Sequence, residues 1–232
     1  MIDLLTSKTY IEPRTPKQLY SWIELIKSEA AKTKHEKNQS NLHEGLYKQL
    51  MEELYPISCY CSNIYEDREG VSIMPVLGNQ NFDAIIRDND KNIEYNIEVT
   101  CSIDGYDRRL RMEHFVQYGT TSFSGKPPVR IANGEVRRLG IDDIDFDESS
   151  LLRQSLFSRV MADFQKKQSK KYESGTVLLI YFDDFLSYRF DDPDDRNELL
   201  EFFVNKKIKL FSFNSVYFIG ASRKTCIQMP VV

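Results

Sequence analysis

Leu19, Trp22, Ile23 and Ile26 recur at the three- and four-residue spacing of one helical face within TPKQLYSWIELIKSEAAKTK. Thr15 supplies an N-cap and Pro16 suits the first helical position, so a helix is predicted from there. HEKNQS reads as a polar break. Leu42, Leu46, Leu50 and Leu54 then stripe NLHEGLYKQLMEELYP, predicting a second helix capped by Asn41 and stopped at Pro56. Glu44 lies beside that stripe, off its four-residue row.

From there the period shortens. ISCYCSNIY, VSIMPVL, FDAIIRD and IEYNIEVT read as strands. The last two are joined by DNDKN, whose Asn and Asp content suits a hairpin. Asp104 is placed to cap a helix running to about Tyr118, and residues 119–149 read as a long irregular loop. A helix follows over about 150–172. GTVLLIYFDD is a continuous apolar run, as expected for a strand covered on both faces. RNELLEFFVNK reads as a helix, and FNSVYFIGA and TCIQMPV as closing strands. Helices, a meander, a crossover helix and a buried strand, in that order, predict an α/β layered domain with a mixed central β-sheet flanked by α-helices.

Composition changes this picture little. The chain has 232 residues, 41% of them hydrophobic and 28% charged, which suits one domain with a core of ordinary size. No apolar run is long enough to span a membrane, and the first residues lack the pattern of a secretory signal, so a cytoplasmic protein with no membrane partner is expected. Cys59, Cys61, Cys101 and Cys226 offer one close pair and no second, so no zinc site is expected, and the thiols are expected to be reduced. If residues 57–65 form a strand, Cys59 and Cys61 share one face.

Charge is informative in its distribution. The net charge is −4, yet Arg108, Arg109, Arg111, Lys126, Arg130, Arg137 and Arg138 crowd one stretch, and QKKQSKK forms a second basic cluster. Acidic runs stand apart at DDIDFDE and DDPDD. Basic patches on an acidic protein fit phosphate binding, and they equally fit solvated surface.

The candidate chemistry lies in Asp83 and Glu98, which a turn separates on two strands expected to pair. Carboxylates brought together on buried strands repel unless a cation neutralises them, and Mg²⁺ or Mn²⁺ among oxygen ligands is the natural resolution. The Val99 carbonyl is a further oxygen donor. A metal so held lowers the pKa of bound water and stabilises charge on a phosphodiester.

With FDAII followed by IEVT, the chain resembles the PD-(D/E)xK nuclease superfamily, the restriction-endonuclease-like fold. The resemblance spans roughly residues 41–180 and implies a single domain over 1–232. Its parts would be a helical extension (1–40), a nuclease-like core (41–181), and a closing helix and strands (182–232). It implies a metal site of Glu44, Asp83 and Glu98 and hydrolysis of nucleic acid, most readily DNA. The superfamily's lysine position holds Thr100, which cannot supply a cation. The resemblance then implies a cation from elsewhere: Lys167, or Arg109 or Arg111, with Lys166, Lys170 and Lys171 also within the later cluster. Arg108, Arg109 and Arg111 would contact backbone phosphates. The same residues fit a module that keeps the fold and binds nucleic acid or a protein without cutting. Pairing of the chain with a second copy is left open.

His114, on the helix after Glu98, fits a proton shuttle or a half-buried helical residue. Asp183 and Asp184 end the buried strand, where α/β ligands bind and where loop caps also occur. No GxxxxGK[ST], GxGxxG or GxSxG pattern is present, so nucleotide-driven work and serine hydrolysis have no support.

Overall fold

The structure is a computed structural model describing residues 4–121, 128–131, 133–137, 149–184, 197–198, 201–202, 210 and 212–229. The acidic runs at 142–148 and 191–195, Lys126, Arg138 and most of the expected helix at 196–206 lie outside them.

A short helix α1 (Ser7–Tyr10) leads into α2 (Pro16–Ala30). The Thr15 side chain accepts from the Gln18 amide while the Gln18 side chain accepts from the Thr15 amide, a complete capping box. Helix α3 (Lys34–Leu42) occupies the stretch expected to be a break. Thr33 caps it, and it buries no residue. A helix with no apolar face gives no periodic signal, so its sequence reads as loop.

The chain then turns through His43, held in the left-handed region at φ 52°, and Gly45 at φ 56°. Helix α4 (Leu46–Gln49) continues into a π-helical turn (Leu50–Leu54) and then α5 (Tyr55–Ile64). Pro56 therefore does not stop the helix, and residues 57–64 are helical rather than extended. The reason is local. Proline has no N–H for the Glu52 carbonyl one turn back. Here the widened turn bonds the Tyr55 amide to Leu50, and the Cys101 thiol donates to the Glu52 carbonyl at 3.1 Å. Tyr55 through Cys61 are all buried, and a continuous apolar run cannot by itself distinguish helix from strand. Cys59 and Cys61 are thus helical and do not share a face, and none of the four cysteines is in a disulfide.

Six strands make one mixed sheet in the order β1, β2, β3, β6, β7, β8. β1 (Val71–Pro75), β2 (Ala84–Asp88) and β3 (Ile93–Ser102) form an antiparallel meander. The chain leaves β3 through α6 (Gly105–Tyr118), which Asp104 caps as expected, and passes a two-strand ribbon, β4 (Val129–Arg130) with β5 (Val136–Arg137). It returns through α7 (Ser149–Gln168) to β6 (Val177–Phe182), parallel to β3. β7 (Ser215–Gly220) is parallel to β6, and β8 (Cys226–Gln228) is antiparallel to β7.

Every residue of β6 is buried, because helices cover both faces. Val177, Leu179 and Tyr181 belong to the core shared with α2 and α5. Leu178, Ile180 and Phe182 belong to the core shared with Leu156, Phe157, Val160 and Phe164 of α7. The fold is a mixed α/β sheet flanked by helices, as the pattern predicts. Among the described residues no helix is long and apolar enough to cross a membrane.

Two polar anchors set the sheet ends. Asp88, almost fully buried, accepts a bidentate pair from Arg68 at 3.0 and 2.8 Å. Asp184, fully buried at the end of β6, accepts from the Ser222 amide and hydroxyl, each at 2.8 Å, and so caps the β7–β8 turn. Gly220 makes that approach possible: a β-carbon there would stand 1.8 Å from an Asp184 carboxylate oxygen.

Candidate active site

Asp83 stands one residue before β2. The β2–β3 register sets Ala84 opposite Ile97, so one further step sets Asp83 beside Glu98. The local backbone is unusual there. The Asp83 amide donates to the Ile97 carbonyl at 2.7 Å, while the Val99 amide donates to the Asp83 carboxylate, also at 2.7 Å. The side chain takes a ladder bond that a backbone carbonyl would normally accept, and this fixes one carboxylate oxygen against β3.

Glu98 is 7% exposed on the face of β3 that α7 covers. Lys167, in the last turn of α7, makes an ion pair with it and also donates to the Val99 carbonyl at 3.3 Å. The Tyr172 hydroxyl reaches the same Glu98 oxygen at 3.4 Å. Thr100 lies two residues on from Glu98 and so on the same face. The strand residue is a threonine, and the ammonium comes from the helix above it.

A third carboxyl belongs to the group. Burial first, then the charge of Asp83, pushes Glu53 up to about 7, with Glu52 and Glu98 adding to the rise. The Tyr10 hydroxyl donates to Glu53 at 3.1 Å. Burial first, then the charge of Glu98, pushes Asp83 up to about 6, opposed by the Val99 amide and Lys167. Three acids thus feel one another, with a single ammonium among them. Burial first, and the uncompensated charge second, explain why Asp83 and Glu53 hold their protons more tightly than usual.

The remaining expected residues are placed differently. Glu44 is exposed in the turn between α3 and α4, and among the described residues no hydrogen bond or ion pair joins it to Asp83 or Glu98. The left-handed residues at 43 and 45 take it out of the helix that carries the acid. Glu53 has its place, and the sequence signal was available: Glu53 is three residues beyond Leu50 and seven beyond Leu46, on the buried side of the stripe.

Arg108, Arg109 and Arg111 do not form one phosphate-facing row. Arg108 turns inward and donates to His43 Nε2 at 2.7 Å. An arginine only donates, so that nitrogen accepts, and His43 Nδ1 carries the proton shared with Glu52 at 3.1 Å. Burial works against ionising Glu52, but the bond to His43 and the nearby Lys48 and Arg108 hold it below the usual carboxylate range. Arg109 pairs with Glu113 at 2.9 Å, one turn along α6, and Arg130 pairs with the same carboxylate. Arg111 is half-buried, and its charge reaches Asp107. His114 bonds the Thr120 carbonyl at 2.8 Å, closing the end of α6 rather than facing the acids. Exposed cations cluster instead around Lys167, as Lys166, Lys170 and Lys171.

Among the described residues no group of three His, Cys, Asp or Glu side chains is arranged to hold a metal by itself. Asp83 and Glu98 with the Val99 carbonyl are nevertheless hard oxygen donors in a site short of positive charge. Two carboxylates with the remaining positions left to water is a usual mode for Mg²⁺. No family model, no curated protein and no solved structure matches the chain.

Proposed function

We propose that the chain is a metal-dependent nuclease with a restriction-endonuclease-like arrangement, hydrolysing phosphodiester bonds of DNA. The observation that carries this reading is the approach of Lys167 to Glu98 and the Val99 carbonyl, on the face and strand where Thr100 stands in place of a lysine. The reading also draws on Asp83 beside Glu98 and on a third acid, Glu53, from the preceding helix. Asp83 and Glu98 are the residues that would hold Mg²⁺ or Mn²⁺. The bound ion would acidify water and withdraw charge from the phosphate oxygens.

The chain's own residues do the rest. Lys167 has three N–H donors; Glu98 and the Val99 carbonyl take two, and the third meets the charge that builds on the scissile phosphate. Tyr172 and Lys167 together fix the rotamer of Glu98. The Val99 amide fixes Asp83. Lys166, Lys170 and Lys171 give the approaching backbone a positive rim, which positions it without reading sequence.

The second reading, a module of the same fold that binds DNA without cutting, draws on the absence, among the described residues, of a third side chain arranged to hold the metal. Incubating the protein with plasmid, linear and single-stranded DNA and with RNA, in Mg²⁺, Mn²⁺ or EDTA, separates the two. Metal-dependent cleavage of DNA supports the nuclease; binding without cleavage under any metal supports the module.

A further inference from the structure

A pocket of about 430 Å³ opens beside the acidic group, lined by Gln80, Asn81, Phe82, Lys171, Tyr172 and Glu173. That volume falls within the roughly 300–1,000 Å³ of small-ligand sites. Two of the pocket's own walls adjoin the acidic group. Phe82 is the residue before Asp83. Tyr172 carries the hydroxyl that reaches Glu98. Its two sides are the segment leading into β2 and the segment between α7 and β6, so it opens where the central strands begin.

The lining has the chemistry of a nucleotide site. Phe82 and Tyr172 are half-buried aromatic rings, and Tyr172 is backed by Phe213 at 4.5 Å between ring centroids. Gln80 and Asn81 offer amide donors and acceptors. Glu173, held by Asn96 at 2.9 Å, is an acceptor of the kind that suits an exocyclic amine. Lys171 is exposed at the rim. Aromatic faces for bases beside cations for the backbone are how single strands are held without a sequence code. A base inside an intact duplex presents only its edges and cannot enter a concave pocket; an unpaired base can.

We propose that this pocket receives an unpaired nucleobase next to the scissile phosphate, so that the substrate is single-stranded DNA rather than intact duplex. The inference rests on the nuclease reading of the adjoining acids and narrows its substrate.

Equilibrium binding tests it without relying on catalysis. Fluorescence anisotropy with a labelled single-stranded oligonucleotide and with the matching duplex, in EDTA, gives both affinities. Wild type should bind the single strand at least about 10-fold more tightly. Phe82→Ala and Tyr172→Ala should each weaken single-strand binding on the order of 10-fold, the loss of one stacked base, while changing duplex binding little. Tyr172→Phe keeps the ring and should keep the affinity. Lys171→Glu, at an exposed position outside any helix or strand, tests the rim even if an aromatic variant fails to fold; it should weaken single-strand binding and flatten its salt dependence.

Equal or tighter duplex binding by wild type, or single-strand affinity unchanged in Lys171→Glu and in every folded aromatic variant, overturns the base pocket. If duplex DNA is still cut with metal, the nuclease reading stands without it. No binding to either DNA, with no cleavage, overturns both.

Discussion

Asp83 and Glu53 make the pH dependence of folding a direct probe of the acidic group. Their carboxyls stand at about 6 and about 7, above ordinary values of 3.8 and 4.5. A carboxyl whose folded pKa is raised binds protons more tightly folded than unfolded. Its contribution is present in full below the unfolded value and is lost as pH rises through the folded one. The window is therefore about pH 4–8, with stability falling as pH increases. Lifting a carboxyl by about two pH units corresponds to about 3 kcal/mol for each group once ionised, and the slope near pH 6 should be about 1–2 kcal/mol per pH unit. Glu52 and Glu113, held below the usual range, act in the opposite sense, but both states have finished titrating by about pH 6. Asp184 is also raised by burial, so the attribution rests on differences between proteins. Asp83→Asn keeps an acceptor for the Val99 amide, and Glu53→Gln keeps one for the Tyr10 hydroxyl. Urea unfolding from pH 5 to 8 should show each variant losing stability less steeply than wild type and standing above it at pH 8. Saturating Mg²⁺ at about 100-fold its dissociation constant should return about 3 kcal/mol to wild type and less to Asp83→Asn. Wild-type stability that is flat or rising across this range, or variants that follow the wild-type curve, would rule out raised carboxyls at Asp83 and Glu53.

If Lys167 supplies the cation missing at position 100, Thr100→Lys should restore at least part of the cleavage lost in Lys167→Ala, since both residues address Glu98 from the same face; no recovery in single-turnover assays of the folded double variant counts against equivalence. Arg108→Ala removes the donor that fixes the His43 tautomer and should lower stability by about 1–3 kcal/mol, measured by urea unfolding; an unchanged midpoint would separate that cluster from the fold. Gly220→Ala drives a β-carbon into Asp184 and should cost about 2 kcal/mol or more, visible as a lowered melting temperature.

The sheet was legible in the sequence wherever one face is buried and the other differs. Burial alternates along β2, apolar and polar residues alternate in IEYNIEVT of β3, and β6 is apolar throughout. Asp83 and Glu98 were legible because the hairpin between them has one evident register. The helical arm was read less well. Pro56 ordinarily breaks a helix, and nothing local in the sequence shows that a thiol from β3 will take up the freed Glu52 carbonyl. That bond joins residues 49 positions apart. Glu53 was passed over although its spacing from Leu46 and Leu50 marks it, because the positive-φ residues that turn Glu44 outward, His43 and Gly45, carry no periodic signal. The arginines were legible as a charge cluster but not as partners. Spacing along α6 puts Glu113 within reach of Arg109, while the bond from Arg108 to His43 spans 65 residues and depends on the packing of α3 against α6.

We propose that Glu98 and Lys167 form one cutting centre with Asp83. Single-turnover cleavage of DNA by wild type and by Lys167→Met, with Mg²⁺ and matched circular dichroism, tests it most directly. Methionine keeps the aliphatic stem and removes only the ammonium. Wild type should cut in a metal-dependent way, and the folded variant should cut about 10²–10³-fold more slowly, the loss of one donor to charge developing in the transition state. A folded Lys167→Met that cuts as fast as wild type, or a wild type that cuts no DNA with any divalent metal, would contradict it.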